Sequence, residues 1–352
     1  MATSTTAPLP APAVFESRSG DIAQSPSGRQ VGVDRLFRST CLVFAWGTVA
    51  LAAFIVLRIA VAAVPAIERY GTGFLTGRIW DANTERYGIL AEIWGTLFTS
   101  VLAVAIGTAF GVAVAIFLSE GYIGQAVFTA LSRVNLERHR MLARLPDQLE
   151  NLLRNLVELL AAIPSVVYGL WGLFVVIPLI RPYANWLHLK LGWLPFFATD
   201  LSGPGVAPAV IVLSIMILPT ITAISRDALV SVPSKLRMAA YGLGATRWEA
   251  LLAVILPTAS RGILGGVILG FGRALGETMA LAMLVGNSNQ ISLSMFSPAN
   301  TLAALLANNF PEAGLKQVGV LMYAALVLLG ITLVVNIVGA VIISRAGLAH
   351  AD

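Results

Sequence analysis

Arg273 and Glu277 stand four residues apart inside the apolar run GFGRALGETMALAML. At the centre of a membrane helix each charge costs roughly 2.5–3.5 kcal/mol on insertion scales, so a chain that carries both must neutralise them internally or use them on a solute. The i, i+4 spacing places them on one helical face, aimed into a bundle or an aqueous path. A structural ion pair and a solute-pathway site are both compatible with that spacing. Other chemistry has little to build on. Cys41 is single, and His139, His188 and His350 lie far apart in sequence, so neither a disulfide nor a clustered metal site is expected. A hydrolase would need a nucleophile beside a base, which the sparse histidines do not supply.

The elements that must position the two charges follow from composition. Hydrophobic residues make up 57% of the chain and charged residues only 12%, with mean hydropathy +0.82. Soluble domains carry about 25% charged residues, so the composition predicts an all-α integral membrane protein. Six transmembrane helices are expected, at about 36–64, 89–118, 152–180, 206–224, 258–286 and 318–343. Residues 1–35, rich in Ala, Pro, Ser and Thr, are expected to be a disordered cytoplasmic tail, and 346–352 a second short one. The transmembrane domain is expected to fill 36–345.

Orientation follows from the basic residues. With the N-terminus inside, the predicted cytoplasmic segments gather Arg35, Arg38, Arg133, Arg138, Arg140, Arg144, Arg226, Lys235, Arg237, Arg247, Arg261 and Arg345, while the outer loops hold Arg69, Arg78, Arg86, Arg181, Lys190 and Lys316. The net charge of +5 therefore reflects topology, and no nucleic-acid partner is expected. Arg58 sits late in the first span, where it can snorkel to the outer interface. Gly262, Gly266 and Gly270 recur every four residues in the fifth span, a stripe for close helix packing, and Gly107 with Gly111 repeats it more weakly in the second. Pro164 is expected to kink the third span near Ser165 and Tyr168. No GxxxxGK[ST] string occurs, so nucleotide binding by this chain is not expected.

Between the fourth and fifth spans, 233–257 has amphipathic content. Pro233 can start a short helix over 234–242, and Gly244 can end it before a second segment from Arg247. Met238, Ala239, Ala240 and Gly244, followed by Val254, Leu256 and Pro257, resemble the EAA loop of bacterial ABC importer permeases. The acidic first position of that motif is Met238 here, which removes a carboxylate from the expected contact. The resemblance implies a type I ABC importer permease fold, with 233–257 as the coupling loop on a partner ATPase. Met238, Ala239, Ala240, Gly244, Leu256 and Pro257 would serve that coupling, with small residues from Ala239 to Gly244 forming the docking face.

Three further strings, ELLAAIPSVVYGLWGL, GRALGETMALAMLVGN and SMFSPANTLAALLANNFPEA, resemble the phosphate-specific ABC permease of the PstC type. The resemblance covers about 87–345, and the basic stretch 124–150 is an insertion relative to the family's linker. It implies a non-catalytic half-pore in the bacterial inner membrane that pairs with a PstA-type permease homologue. Phosphate would arrive from a periplasmic PstS-type binding protein, and two copies of a PstB-type ATPase would use ATP and Mg. This chain would bind no cofactor and no metal. On this reading Arg273 attracts the anion and Glu277 holds or moderates the guanidinium. A PstA-type subunit, a permease for another oxyanion, and a secondary transporter or channel are the alternatives.

Overall fold

The computed structural model describes residues 28–121 and 145–346. Residues 1–27 of the expected tail 1–35, most of the insertion and 347–352 lie outside them, as does the basic segment Arg133 to Arg144. Two units are distinguished, Met1–Leu57 and Arg58–Asp352. In the first, the described residues form the start of α1 (Gly28–Tyr70), whose apolar side chains, among them Phe44, Trp46 and Leu51, are exposed. The expected tail is shorter than 1–35, since helix begins at Gly28. Residues 28–35, GRQVGVDR, contain no proline, so they add turns to the helix nucleated in the apolar run that follows, in spite of two glycines.

Among the described residues six helices are long and apolar enough to cross a membrane: α1, α3 (Leu90–Ser119), α5 (Ser165–Leu191), α6 (Val206–Val230), α8 (Arg247–Gly276) and α11 (Leu315–Ala346). The shorter helices are α2 (Gly73–Thr76), α4 (Leu145–Ala162), α7 (Ser234–Gly242), α9 (Met279–Leu284) and α10 (Leu302–Asn309). A two-residue hairpin, β1 (Trp80–Asp81) with β2 (Arg86–Tyr87), pairs Trp80 with Tyr87 outside the spans. Beside it Glu85 accepts from Lys316 Nζ at 3.1 Å and from Arg69, and these two cations hold its carboxyl below the usual range.

Two spans differ from expectation. The third does not run over 152–180: α4 ends at Ala162, and a new helix starts at Ser165 with extended Pro164 between them (φ −59°, ψ 141°). Proline has no N–H to continue the ladder, and its ring excludes helical backbone at the residue before it. The kink is therefore a full break. It leaves α4 an amphipathic helix, while the span continues from Ser165 through a π-helical turn over Gly172–Val176 to Leu191. The fifth span stops at Gly276 rather than 286. Glu277 is extended (φ −68°, ψ 125°), and the Thr278 hydroxyl bonds the Gly276 carbonyl at 3.1 Å. A poor helix former followed by a side chain that takes the free carbonyl ends the helix.

The central helix is α6. Two thirds (67%) of its spanning window is buried against 6% for α11, and α3, α4, α5, α8 and α9 pack on it. Its Val210, Leu213, Ile217 and Ile221 form the main core with Tyr168, Ala274 and Leu284. The glycine stripes let neighbours approach it. A Cβ at Gly107 or Gly111 would lie 2.9 Å from Ile217 or Ile221, and at Gly262 only 2.4 Å from Ala228 Cβ. Lipid is as apolar as these side chains, so close packing rather than water exclusion holds the helices together. Gly262→Val is expected to lower stability by about 1–3 kcal/mol through overpacking. Thermal unfolding in detergent measures it, and an unchanged midpoint would show that α6 and α8 can separate freely.

Outside the spans, the segment after α9 folds back over the bundle. It turns at Gly286 (φ 100°) and Asn287 (φ 50°), then bridges Gly286 to Ala299. The carbonyls of Met295 and Ser297 accept from the N–H groups of Ala207 (2.6 Å) and Val206 (3.1 Å), satisfying free donors at the start of α6. Thr96 of α3 accepts from Leu302 N at 2.9 Å. The Asn300 carbonyl lies over Gly95, where a Cβ would come within 1.9 Å. Only glycine permits that contact.

Candidate functional site

Arg273 lies in the last turn of α8 and is exposed, on a face that the described residues leave uncovered. Its Nη1 donates to Thr220 Oγ1 of α6 at 3.3 Å. Glu277 is half-buried beyond the helix end, and among the described residues the two side chains form no ion pair. The expectation of one helical face is therefore corrected: the break at Gly276 removes the i, i+4 register. What remains is a guanidinium with a hydroxyl for company. Such a group retains donors for an anion, and Thr220 can orient it. Asn336 of α11 adds a second polar side chain, its Oδ1 lying 3.4 Å from the Cβ position of Gly272. Thr220 and Asn336 carry no sequence signal, since single hydroxyls and amides are common in spans.

Tyr168 is buried in the core and donates to the Leu160 carbonyl at 2.8 Å, bridging the break at Pro164. It acts in packing. Glu92 escaped sequence reading. It stands in the first turn of α3, fully buried, with neither carboxylate oxygen hydrogen-bonded. Burying a carboxylate without a partner is unfavourable as an ion and tolerable as a neutral acid. Glu92→Gln, which keeps the shape without the charge, is therefore expected to leave the unfolding temperature unchanged or raise it. A clear drop would show an ionised group held by a cation.

The loop 233–257 folds as its spacing predicts. Pro233 precedes α7, and Gly244 takes φ 85°. Ala245 N bonds Ala240 O (3.1 Å) and Gly244 N bonds Tyr241 O (3.0 Å), a Schellman termination that requires left-handed backbone at Gly244. Thr246 and Glu249 then cap α8 reciprocally. Leu256 and Pro257 lie half-buried within α8, just after a π-helical turn over Leu251–Ile255. Arg237 ties the loop to the bundle. Its Nη1 reaches Glu120 Oε1 past α3 at 2.6 Å, and its Nη2 the Leu229 carbonyl of α6 at 2.8 Å. Arg237 thereby joins α7 to the end of α3 and to α6.

One part of the docking face differs from expectation. Ala240 is buried against its own chain, whereas Met238 (70% exposed), Ala239 and Leu243 (91% exposed) point outward with Trp248. The helical turn places Ala240 on the inner face. The free surface is thus apolar and protruding rather than merely small.

Comparison with known proteins agrees with this geometry. Residues 140–346 match the family described as binding-protein-dependent transport system inner membrane component. The chain is 38% identical over 321 residues to the phosphate transport system permease protein PstC of Haemophilus influenzae, covering 90% of this chain and 95% of that one. It is 37% identical over 329 residues to the protein of that name from Mesorhizobium japonicum (92% and 91% covered). A probable PstC of Methanocaldococcus jannaschii is 35% identical over 291 residues, covering 80% of this chain and 85% of that one. Among solved structures, a chain of a bacterial alginate ABC transporter in complex with a pentasaccharide-bound periplasmic protein superposes with TM-score 0.51 at 14% identity, covering 87% of this chain and 94% of that one, a likeness of fold. With six spanning helices and a family match over more than half its length, the chain belongs to the binding-protein-dependent transport system inner membrane components, as a multi-pass permease with the ABC importer fold.

Proposed function

We propose that this chain is the PstC-type permease of an ATP-driven importer that carries inorganic phosphate across the inner membrane. The observation that carries this reading is Arg273: an exposed guanidinium near the end of a spanning helix, held by Thr220 and free of any ion pair with Glu277. The names of its bacterial and archaeal relatives support phosphate as the anion. A PstA-type homologue closes the uncovered face and completes the pathway. A PstS-type protein delivers phosphate from outside.

ATP, with Mg, is used by two PstB-type subunits, and this chain does no chemistry of its own. Their closure moves Met238, Ala239 and Leu243, and the Arg237 contacts pass the motion to α3 and α6. Access to Arg273 then alternates between the two sides. Domain roles follow, with 36–345 as the permease and 233–257 as its coupling loop. Radiolabelled phosphate uptake by the reconstituted complex tests the proposal. ATP-dependent uptake that excess phosphate suppresses and sulfate does not is expected; uptake of sulfate alone, or uptake independent of ATP, would overturn it.

A further inference from the structure

Between α4 and α6 lies a cavity of about 360 Å³. Arg154 and Glu158 reach it from α4 with Val157 and Ala161, the i, i+3, i+4, i+7 face of that helix. From α6 come Thr220, Arg226 and Asp227. Thr220 is the residue that holds Arg273, so the cavity begins where the pathway arginine ends. Arg226 follows six residues later, about 9 Å along the helix axis. With α6 running inward, that step leads to the cytoplasm.

The two arginines are unequally paired. Arg154 Nε bonds Glu158 Oε1 at 2.9 Å, a closed ion pair. Arg226 Nη1 stands 3.8 Å from Asp227 Oδ1, beyond hydrogen-bond range, and Asp227 is 79% exposed while Arg226 is only 26% exposed. The Arg226 fork is thus partly desolvated, and its neighbouring carboxylate does not satisfy it. Such a group favours an oxyanion, and the two acids keep the hold loose enough for release.

We propose that this cavity is a cytoplasmic exit subsite, in which an oxyanion leaving Arg273 is held by Arg226, with Arg154 beside it, before release. The proposal rests on the phosphate reading above. Because the site opens to the cytoplasm, phosphate accumulated there fills it and slows further transport.

The test uses the whole complex, with binding protein, in vesicles with ATP and Mg on the ATPase side. Initial uptake of radiolabelled phosphate is measured against rising unlabelled phosphate inside. Wild-type uptake is expected to fall as internal phosphate rises. Arg226→Gln is expected to raise the half-inhibitory concentration about tenfold, the loss of one charge-assisted contact. Arg226→Lys should shift it less, and Asp227→Asn should shift it the opposite way by removing a competing carboxylate.

A purely structural role for the charges predicts that the Arg226→Gln and Asp227→Asn variants move together. That result, or inhibition absent in the wild type or unchanged in Arg226→Gln at equal membrane abundance, would overturn the subsite. A lipid headgroup presents the same phosphate chemistry, so the series is repeated in vesicles with and without anionic lipid. Inhibition by free phosphate in both is expected; dependence on anionic lipid alone would assign the cavity to lipid and overturn the proposal. A wild-type complex that carries no phosphate would instead overturn the functional reading, and the subsite with it.

Discussion

Arg273→Gln is expected to reduce phosphate uptake by about ten- to a hundredfold at matched membrane abundance. A hydrogen bond to a charged group contributes about 1.5–3 kcal/mol, and each 1.4 kcal/mol is a factor of ten. Glutamine keeps the length and loses the charge. Arg273→Lys should fall between, since lysine restores the charge without the planar fork. Glu277→Gln separates the two readings of the motif. Because Glu277 lies past the helix end and forms no ion pair with Arg273, its neutralisation should leave the Arg273–Thr220 contact in place. A passive ion pair predicts instead that Arg273→Gln with Glu277→Gln together restores near-normal transport by removing both charges at once. Uptake by that double variant decides: recovery would refute a role for Arg273 on the anion, and a loss equal to that of Arg273→Gln alone would support it.

Leu243→Asp is expected to abolish ATP-driven uptake while the chain still inserts and folds. Leu243 projects almost wholly from the tip of α7 and touches little of its own chain, so its replacement spares internal packing. A carboxylate there would be desolvated against the ATPase surface, and central apolar contacts of this kind contribute about 2 kcal/mol or more to binding. Association should weaken at least tenfold, read as loss of the ATPase on affinity purification through this chain. Ala240→Trp would not serve, because Ala240 is buried and a bulky side chain there disturbs the fold. Retained copurification and normal uptake in Leu243→Asp would show that the ATPase docks elsewhere.

Hydropathy alone determined the membrane class and the six spans found among the described residues, because a bilayer demands apolar length, while the charge bias supplies the expected orientation. Local chemistry also sufficed for the coupling loop. Proline at its start and glycine at its end act through their own φ restrictions, and the helix ran over Ser234–Gly242 as expected. Glycine spacing predicted close helix contact but not the partner: only the fold shows that both stripes serve α6.

Where apolar sequence continues through a break, periodicity is blind. The runs around Pro164 and Gly276 read as unbroken spans, yet backbone bonding ended helices at both. That break is what parted Glu277 from Arg273. The inward turn of Ala240, the burial of Glu92 and the convergence of Thr220 with Arg273, 53 residues apart, were likewise decided by packing. A sequence records which side chains a helix can present, but which neighbour meets them depends on how the helices cross, and that is settled only when α3, α4, α5, α8 and α9 pack on α6.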